Sequence, residues 1–383
     1  MNITKKLVIH IHRLALNYLK KHNSYKDKII TQKKANPIFI IHIGATDIAS
    51  ALLHSEHWIN NFINSGFEFL VITRGINSFN AIKNKYPNVN LSLITKAYEV
   101  EEILEHYKSI KAIFYPGNTA NNIHLITFPK IKHIFIGHGD SEKHASMTRA
   151  FKVYDEIYVS GDAHIDRFKN ADFDTSALKF TKIGRPGKKI YDGNDSSKIK
   201  NIIYIPTWEG HNEKSNYSSL HIIKDNIAAI LNTTQLNLYI KLHPVTGLRL
   251  PNYKSIEDSL KAIKNNNLII LDKQQPLSKL TYENTIYICD ISSTITESLA
   301  TQGPIITYLP DEHSIERSRS KIDISEYCYT YQDTHQLTKI IEQLLTSNDP
   351  LKNARNKALN YFIDIRATKE NEFKKQLEKL HSM

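Results

Sequence analysis

Residues 286–299 read IYICDISSTITESL, and this stretch decides how the chain can fold. It opens with a short apolar run that is typical of a buried strand, and Asp290 ends that run. Hydroxyl side chains follow, and the spacing then becomes helical, with Ile295 and Leu299 on one side. The first turn of such a helix has unpaired N–H groups and a partial positive charge. The stretch therefore predicts an anion site between a strand and a helix, although an ordinary serine N-cap explains it as simply.

Short apolar runs that end in turn residues, like the run at 286–289, recur along the chain. Consecutive apolar positions are typical of parallel strands that are covered on both faces. Predicted strands cover residues 38–43, 67–73, 91–94, 112–115, 133–136, 157–160, 180–183, 201–205, 236–242, 268–271, 286–289 and 304–308. Predicted helices cover residues 48–65, 81–86, 100–107, 220–231, 337–345 and 354–380. Because strands alternate with helices, we predict an α/β fold with parallel sheets.

A polar run at residues 188–200 separates two such series and is the best linker in the chain. We therefore predict two Rossmann-like domains, with the active site in the cleft between them and beyond the carboxyl ends of the strands. The predicted segments are a basic amphipathic N-terminal segment (1–36), an N-terminal domain (37–190), a C-terminal domain (191–353) and a C-terminal helix (354–383).

The chain has 383 residues and a formal net charge of +11, so an anionic partner is expected. Anionic lipid, a phosphorylated polymer and a nucleotide-activated substrate satisfy that expectation. Specific nucleic-acid binding is not predicted, because aromatic residues are not interleaved with the basic ones. Two cysteines cannot form a disulfide framework, and neither a spanning apolar run nor a signal-peptide pattern occurs. The chain is therefore predicted to be cytoplasmic.

Residues 1–36 carry nine Lys or Arg side chains and a single acid, Asp27. Leu7, Ile11 and Leu14 recur at helical spacing on the apolar side. A basic amphipathic helix of this kind suits an anionic membrane surface, which would hold the chain peripherally on the inner face of the cell membrane. A helix packed on the body of its own protein, with a solvated basic rim, explains the pattern equally well.

Residues 137–143 (GHGDSEK) directly follow a predicted strand. The glycines on both sides of His138 allow the backbone to approach a substrate closely, and an imidazole there can take a proton from a hydroxyl. Asp140 could orient the imidazole, and Lys143 could hold a phosphate. The alternative is a structural histidine in a glycine turn, but an acid and a lysine beside a strand-end histidine favour function.

Other strand ends carry weaker signals. His243 in the run KLHP could donate to a phosphate oxygen or be a satisfied core histidine. Arg185 in the run GRPG could pair with a phosphate or lie in a surface hinge. Trp208 could stack on a base, although packing is the commoner use of a tryptophan there. Residues 172–174 (DFD) have the spacing of some metal-dependent transferases, but we interpret this polar connection as a solvated loop.

None of the GxGxxG, P-loop, HExxH or CxxC patterns occurs, which disfavours dinucleotide redox, P-loop NTPase and zinc chemistry. The remaining combination, GHGDSEK at 137–143, KLHP at 241–244 and DISST at 290–294 with Glu297, resembles the CDP-glycerol glycerophosphotransferase family. These enzymes are the teichoic-acid and capsule polymerases of bacteria. The resemblance covers roughly residues 38–345 in order and spacing. It implies a GT-B-like fold and transfer of glycerol or ribitol phosphate from a CDP-linked donor to a hydroxyl of a growing polymer, with release of CMP.

The resemblance also implies roles for single residues. His138 would be the base that deprotonates the acceptor, so the domain at 37–190 would be the acceptor side. The acceptor would be a phosphate-containing polymer or a glycan. Many members of the family have Thr where this chain has Asp140, and this departure could signal a different acceptor or donor polyol.

The domain at 191–353 would be the donor side. There, His243 would contact the donor phosphate, Asp290 would shape the loop after its strand, and Glu297 would bind the ribose hydroxyls. The residues that would bind the diphosphate are Ser292, Ser293 and Thr294. No cofactor is required by this chemistry and no metal ligand is predicted; Mg²⁺ could assist the diphosphate, but no carboxylate cluster demands it.

Two other functions fit parts of the sequence. A GT-B glycosyltransferase that uses a nucleotide sugar would have the same fold and the same diphosphate site at a helix start. A non-catalytic polyanion-binding protein would account for the net charge but for none of the motifs. A donor assay discriminates between the three functions. The phosphotransferase would consume a CDP-linked polyol, the glycosyltransferase would consume a nucleotide sugar, and the binding protein would consume neither.

Overall fold

The computed structural model describes residues 36–144, 147–191, 198–275, 280 and 284–383. The basic segment predicted for residues 1–36 lies outside them except for its last residue, as do residues 192–197 of the predicted linker. The chain divides into two compact units. Unit 1 comprises the described residues of 1–138, 153–155 and 377–383, and unit 2 comprises the others. The domain boundary expected near residue 190 stays a prediction.

Unit 1 contains a parallel sheet whose strands are almost fully buried, as the consecutive apolar runs require. The strands are β1 (Phe39–Ile43), β2 (Phe69–Thr73), β3 (Leu91–Leu93), β4 (Ala112–Tyr115) and β5 (Lys132–Phe135), in the order β3-β2-β1-β4-β5. The helices are α1 (Ile48–Ser65), α2 (Ile76–Lys85), α3 (Tyr98–His106) and α4 (Ile123–Ile126). Because the strands are parallel, the connections that follow them all begin at one edge of the sheet.

Helix α1 shows how the sequence sets these elements. Asp47 caps its start, since its side chain accepts a hydrogen bond from the N–H of Ser50 at 2.8 Å. Its apolar side buries Trp58, Ile59 and Phe62. The helix therefore covers one face of the sheet with large side chains at helical spacing.

Unit 2 contains the parallel pair β6 (Glu156–Val159) and β7 (Phe180–Lys182), with helix α5 (Asp162–Lys169) between them in the chain. Its larger sheet has six parallel strands in the order β10-β9-β8-β11-β12-β13. These are β8 (Asn201–Ile205), β9 (Asn237–Ile240), β10 (Leu268–Ile270), β11 (Thr285–Asp290), β12 (Ile305–Tyr308) and β13 (Tyr329–Tyr331). In both units the strand order reverses beside the first strand of the series, which is the Rossmann-like pattern. The predicted α/β fold with two Rossmann-like sheets is confirmed.

Further helices of unit 2 follow its strands in the chain. They are α6 (Ile223–Thr233), α7 (Ile256–Lys261), α8 (Ser293–Leu299), α9 (Ile324–Tyr327), α10 (Thr334–Leu345), α11 (Lys352–Phe362) and α12 (Ile365–Lys369), and the last helix is α13 (Glu372–Ser382), whose residues from 377 onward belong to unit 1. Alternate residues of β11 enter separate apolar clusters, with Tyr287 and Cys289 in one and Ile286 and Ile288 in the other. This alternation places one cluster on each face of the sheet. Cys289 is a buried free thiol, as predicted.

The single C-terminal helix predicted over 354–380 is wrong, since three helices occupy that region. Ile363 is extended, and the Asp364 side chain then caps α12 by accepting from the N–H of Ala367. Asn371 has a φ of 50°, which interrupts the next turn. Within the described part of the chain, no helix combines the length and apolar character needed to cross a membrane.

Candidate active site

Helix α8 begins directly beyond β11, within the stretch IYICDISSTITESL at residues 286–299. The Ser292 side chain accepts a hydrogen bond from the N–H of Thr294 at 3.3 Å and donates one to the carbonyl of Asp290 at 3.2 Å. Ser292 is therefore the N-cap of α8, as the simpler interpretation expected. Ser293 is half-buried and Thr294 is buried.

The loop that follows His138 packs closely on α8 within unit 2. A Cβ atom added at Gly139 would lie 2.7 Å from the Cβ of Ser293, so only glycine fits there without a shift. The Thr296 hydroxyl donates to the carbonyl of Asp140 at 3.2 Å. Two motifs that lie about 150 residues apart are thus in direct contact.

Lys143 and Asp290 share a polar cluster in unit 2. The Lys143 ammonium donates to the Thr207 hydroxyl at 2.9 Å, and Asp290 accepts from the N–H groups of Thr207 at 2.7 Å and Ser219 at 3.2 Å. Burial raises the pKa of Asp290 to about 7, while these hydrogen bonds and the charge of Lys143 oppose the rise. Burial also lowers the pKa of Lys143 to about 8, and Asp290 opposes that change. Asp290 is fully buried and fastens the loop after β8, which agrees with a shaping role.

Asp140 lies in a buried charge network. Its carboxylate binds the guanidinium of Arg167 and lies 3.6 Å from Nδ1 of His164. Arg167 is fully buried and also donates to the Ser320 hydroxyl at 2.8 Å. The carboxylate is thus engaged inside unit 2, and its expected role in orienting His138 stays a prediction.

Arg185 and Glu297 were both predicted as substrate-binding residues, and they bind each other. Nε of Arg185 donates to Oε1 of Glu297 at 2.7 Å, and Nζ of Lys188 donates to Oε2 at 2.7 Å. The three side chains are largely buried. One carboxylate therefore holds two cations at the start of the chain segment after β7, where a phosphate could compete for them.

His243 lies in the connection after β9. Its Nδ1 accepts a hydrogen bond from the N–H of Val245 at 3.4 Å, so the proton of a neutral ring is on Nε2. The indole of Trp208 is stacked with the imidazole at a centroid distance of 6.3 Å and an angle of 25°. This arrangement makes Nε2–H of His243 a hydrogen-bond donor, as contact with a phosphate requires.

His138 has the opposite tautomer in unit 1. Its Nδ1 lies 3.0 Å from the carbonyl of Pro116 and must donate to it, which leaves the lone pair on Nε2. Gly137 has a φ of 61°, and its carbonyl accepts from the indole N–H of Trp58. The ring of His54 lies 4.3 Å from that of His138, and burial, with a smaller effect of His138, lowers the pKa of His54 well below its ordinary value. A neutral His54 thus packs against a ring that can accept a proton.

The described residues contain no group of three or more His, Cys, Asp or Glu side chains that could hold a metal ion. Asp172 and Asp174 are exposed, and the carboxylate of Asp174 pairs with Lys152 at 3.3 Å. The DFD run is therefore a solvated loop, as interpreted from the sequence.

The sequence analysis missed two residues that hold predicted site residues in place. Lys188 directly follows the GRPG turn, and the cluster of positive charges in GRPGKK at 184–189 could have indicated it as an anion-binding residue. Arg167 lies on α5 and gives no local signal, because its partner Asp140 is 27 residues away in the chain.

The family model described as CDP-glycerol:poly(glycerophosphate) glycerophosphotransferase matches residues 136–371. No curated protein matches the chain significantly. A structure of the wall teichoic acid polymerase TagF is similar with a TM-score of 0.57 and 12% identity, over 99% of this chain and 98% of that chain.

Two further solved structures share the fold. The glycosyltransferase from Rickettsia africae ESF-5 has a TM-score of 0.52 and 13% identity, over 90% of this chain and 99% of that chain. Anabaena Alr3699/HepE in complex with UDP and glucose has a TM-score of 0.54 and 11% identity, over 90% of this chain and 99% of that chain. At such identities the likeness shows a GT-B-like fold alone. The family match covers more than half of the chain and confirms the resemblance found in the motifs. The chain belongs to the CDP-glycerol:poly(glycerophosphate) glycerophosphotransferase family.

Proposed function

We propose that the chain transfers glycerol phosphate or ribitol phosphate from a CDP-linked donor to a hydroxyl of a growing capsule or teichoic-acid-like polymer. The observation that carries this proposal is the family match over residues 136–371, which includes all three strand-end motifs. The acceptor oxygen attacks the phosphorus that bears the polyol, and the bond from that phosphorus to the bridging oxygen breaks. CMP leaves with the bridging oxygen, and the hydroxyl proton passes to a base.

His138 is the base in this proposal. The hydrogen bond from its Nδ1 to the carbonyl of Pro116 holds the ring with the lone pair on Nε2, so the ring can accept the acceptor proton there. A carbonyl partner cannot supply a proton, which fixes this tautomer. Asp140 shapes the loop that follows His138 through its bond to Arg167 and so acts as a positioning residue.

The donor phosphates are bound in unit 2. His243 donates from Nε2–H to a phosphate oxygen, a role that its tautomer supports. The diphosphate contacts belong to the start of α8, and the residues proposed for them are Ser292, Ser293 and Thr294. Lys143 and Arg185 neutralise charge that develops on the leaving CMP, since phosphoryl transfer depends on positioning and charge stabilisation. Glu297 then exchanges its bonds to Arg185 for bonds to the ribose hydroxyls.

The proposed location is the cytoplasm, with peripheral attachment to the inner face of the cell membrane through the basic segment at 1–36. The net charge of +11 supports both an anionic membrane and a polyanionic acceptor. Binding to vesicles of neutral lipid as strong as binding to vesicles of anionic lipid would contradict the electrostatic attachment.

The experiment is measurement of CMP release from CDP-glycerol and CDP-ribitol, each with and without poly(glycerol phosphate) as acceptor. We expect release that depends on acceptor and is faster with one donor, which identifies the polyol. A His138→Gln variant, which lacks the proposed base, is the control, and it shows how much CMP is released without base catalysis. No release from either donor by folded protein, together with consumption of a UDP-sugar or CMP-sugar, would assign the chain to the glycosyltransferases instead.

A further inference from the structure

Unit 1 contains a buried cation that the proposed reaction does not use. Arg74 directly follows β2 and is only 8% exposed. Its Nη2 donates to Nδ1 of His124 at 2.8 Å, while its Nε and Nη1 have no hydrogen-bond partner among the described residues. Burial of a guanidinium with a single neutral hydrogen-bond partner costs folding free energy. A functional role for Arg74 would account for that cost.

No carboxylate forms an ion pair with Arg74 in the part of the chain that the structure describes. Glu99 is the acid whose charge acts on it, and this charge opposes the effect of burial, which lowers the pKa of Arg74. The Glu99 carboxylate, however, accepts from the N–H and hydroxyl of Thr95 at 2.7 and 3.2 Å and from the N–H of Lys96 at 2.9 Å. These three bonds hold one carboxylate oxygen, Oε2, at the turn before α3, and Glu99 acts on Arg74 through its charge and not through a hydrogen bond or ion pair.

The two histidines near Arg74 supply no negative charge. Burial, followed by the charge of Arg74, lowers the pKa of His42 to about 3, so His42 is neutral. His124 accepts from Arg74 at Nδ1, which puts its ring proton on Nε2. His124 is half-buried and thus presents a second hydrogen-bond donor beside the guanidinium.

The surroundings of Arg74 suit a phosphate that is part of a carbon chain. The connections after β3, β2, β1 and β4 lie side by side at one edge of the sheet, because these strands are neighbours in that order. Exposed side chains in these connections include Lys96, the acid Asp47 and the apolar Ile76, Tyr98 and Ile123; the last three are 47%, 51% and 51% exposed. The cation of Arg74 can pair with a phosphate, and the exposed apolar side chains can contact the carbon atoms attached to it. These surroundings therefore suit a polyol phosphate better than free inorganic phosphate.

We infer that Arg74 and His124 form an anion subsite that binds a phosphate group of the polymeric acceptor. The existence of the subsite follows from the buried cation, whereas the identity of its ligand rests on the proposed function. Binding of a phosphate supplies the missing counter-charge of Arg74 and holds the acceptor chain on unit 1.

The first test is the melting temperature of the full chain with increasing sn-glycerol 3-phosphate, and with glycerol as the uncharged control. We expect glycerol 3-phosphate to stabilise the wild type, and Arg74→Gln to lose about tenfold or more in the affinity derived from the shift. Lys83→Gln, which removes one exposed charge from α2, should keep the wild-type response. Without probe, Arg74→Gln should melt at or above the wild-type temperature, because the charge it removes is buried and forms no ion pair with any described residue.

An equal response of Arg74→Gln and wild type to glycerol 3-phosphate would overturn the subsite. If Arg74→Gln does not fold, Arg74→Lys takes its place. Full affinity for glycerol 3-phosphate in Arg74→Lys would show that any cation suffices and that the planar, forked geometry of arginine plays no part. That result would also overturn the assignment.

The second test uses CMP release, with poly(glycerol phosphate) varied at saturating CDP-glycerol and then CDP-glycerol varied at a fixed, high concentration of poly(glycerol phosphate). We expect Arg74→Gln to raise the KM for poly(glycerol phosphate) about tenfold while the KM for CDP-glycerol stays unchanged. A change confined to the KM for CDP-glycerol would contradict an acceptor subsite. If the wild type releases no CMP with any acceptor, the proposed function fails, and the stability measurement still decides whether the anion subsite exists.

Discussion

Nε of Arg185 and Oε1 of Glu297 are 2.7 Å apart, although the two residues lie 112 positions apart in the chain. Both side chains are mostly buried, at 10% and 14% exposure. We expect a coupling energy of about 1–3 kcal/mol in a double-mutant cycle of Arg185→Gln and Glu297→Gln, because Glu297→Gln takes the carboxylate away from a mostly buried guanidinium, whereas Arg185→Gln leaves Glu297 still paired with Lys188. Urea unfolding of the four proteins measures this coupling.

The exposed pair Lys214 and Glu316, 2.8 Å apart, is the matched control. Its cycle should give less than about 1 kcal/mol, since exposed ion pairs are screened by solvent. Additive effects at Arg185 and Glu297 would show that their contact contributes nothing to folding.

His138→Gln should lower kcat by about 10² to 10⁴, because an amide cannot take the acceptor proton. Affinity for the donor should change little, since the base contributes to the acceptor side of the reaction. Single-turnover kinetics and equilibrium binding of CDP-glycerol separate the two quantities. Near-normal turnover in His138→Gln would remove this residue from its proposed role.

His243 is expected to respond differently, since its proposed role is donation from Nε2–H. The amide nitrogen of a glutamine can occupy a similar position and donate, so His243→Gln should lose about tenfold or less in kcat/KM, whereas His243→Ala should lose about 10² to 10³. Steady-state kinetics with varied CDP-glycerol measure both variants. Equal losses in the two variants would argue against a donor role for Nε2.

Gly139→Ala should destabilise the protein by about 1–3 kcal/mol, because the new methyl group would lie 2.7 Å from the Cβ of Ser293. Addition of Ser293→Gly removes that atom and should restore part of the loss. Thermal and urea unfolding of both proteins provide the comparison. A double variant as unstable as the sum of its single changes would place the clash elsewhere.

Asp290 makes stability depend on pH. Its pKa is about 7 in the folded protein against an ordinary value of 3.8, so between these pH values the folded state holds a proton that the unfolded state has released. This contribution to stability is complete below about pH 4 and is lost as the pH rises through 7. Asp290→Asn cannot ionise, and its stability relative to wild type should rise between pH 4 and 8 by up to about 4 kcal/mol. Parallel stability profiles in urea would contradict the shifted pKa.

The fold was largely predictable because its signals are local. Residues 201–205 form β8 with the predicted bounds, since the apolar run begins and ends at polar or turn residues. Residues 329–331 form β13, which was missed because the short run YTY is only partly buried and lacks a continuous apolar pattern. The break at Asp364 was missed because a capping side chain inside a charged helical pattern resembles an ordinary surface residue.

The candidate site residues could be chosen from the sequence as individual strand-end side chains, and their roles stay predictions, but their structural partners could not be predicted. Nothing near Asp140 indicates that Arg167 will bind it, and nothing near Arg185 indicates Glu297. Such pairs depend on how distant segments meet, which hydrophobic periodicity does not encode. Arg74 escaped notice for the same reason, since an arginine after a strand is unremarkable until its burial is known.

The family match at 136–371 and unit 2 share almost the same stretch of chain, whereas residues 36–135 of unit 1 lie outside the match. The signature by which the family is recognised therefore belongs mainly to one unit. Divergence in unit 1 can proceed without erasing that signature. Under the proposed assignment of the acceptor to unit 1 and the donor to unit 2, exchange of unit 1 segments between family members is the route to new acceptors with the donor chemistry retained.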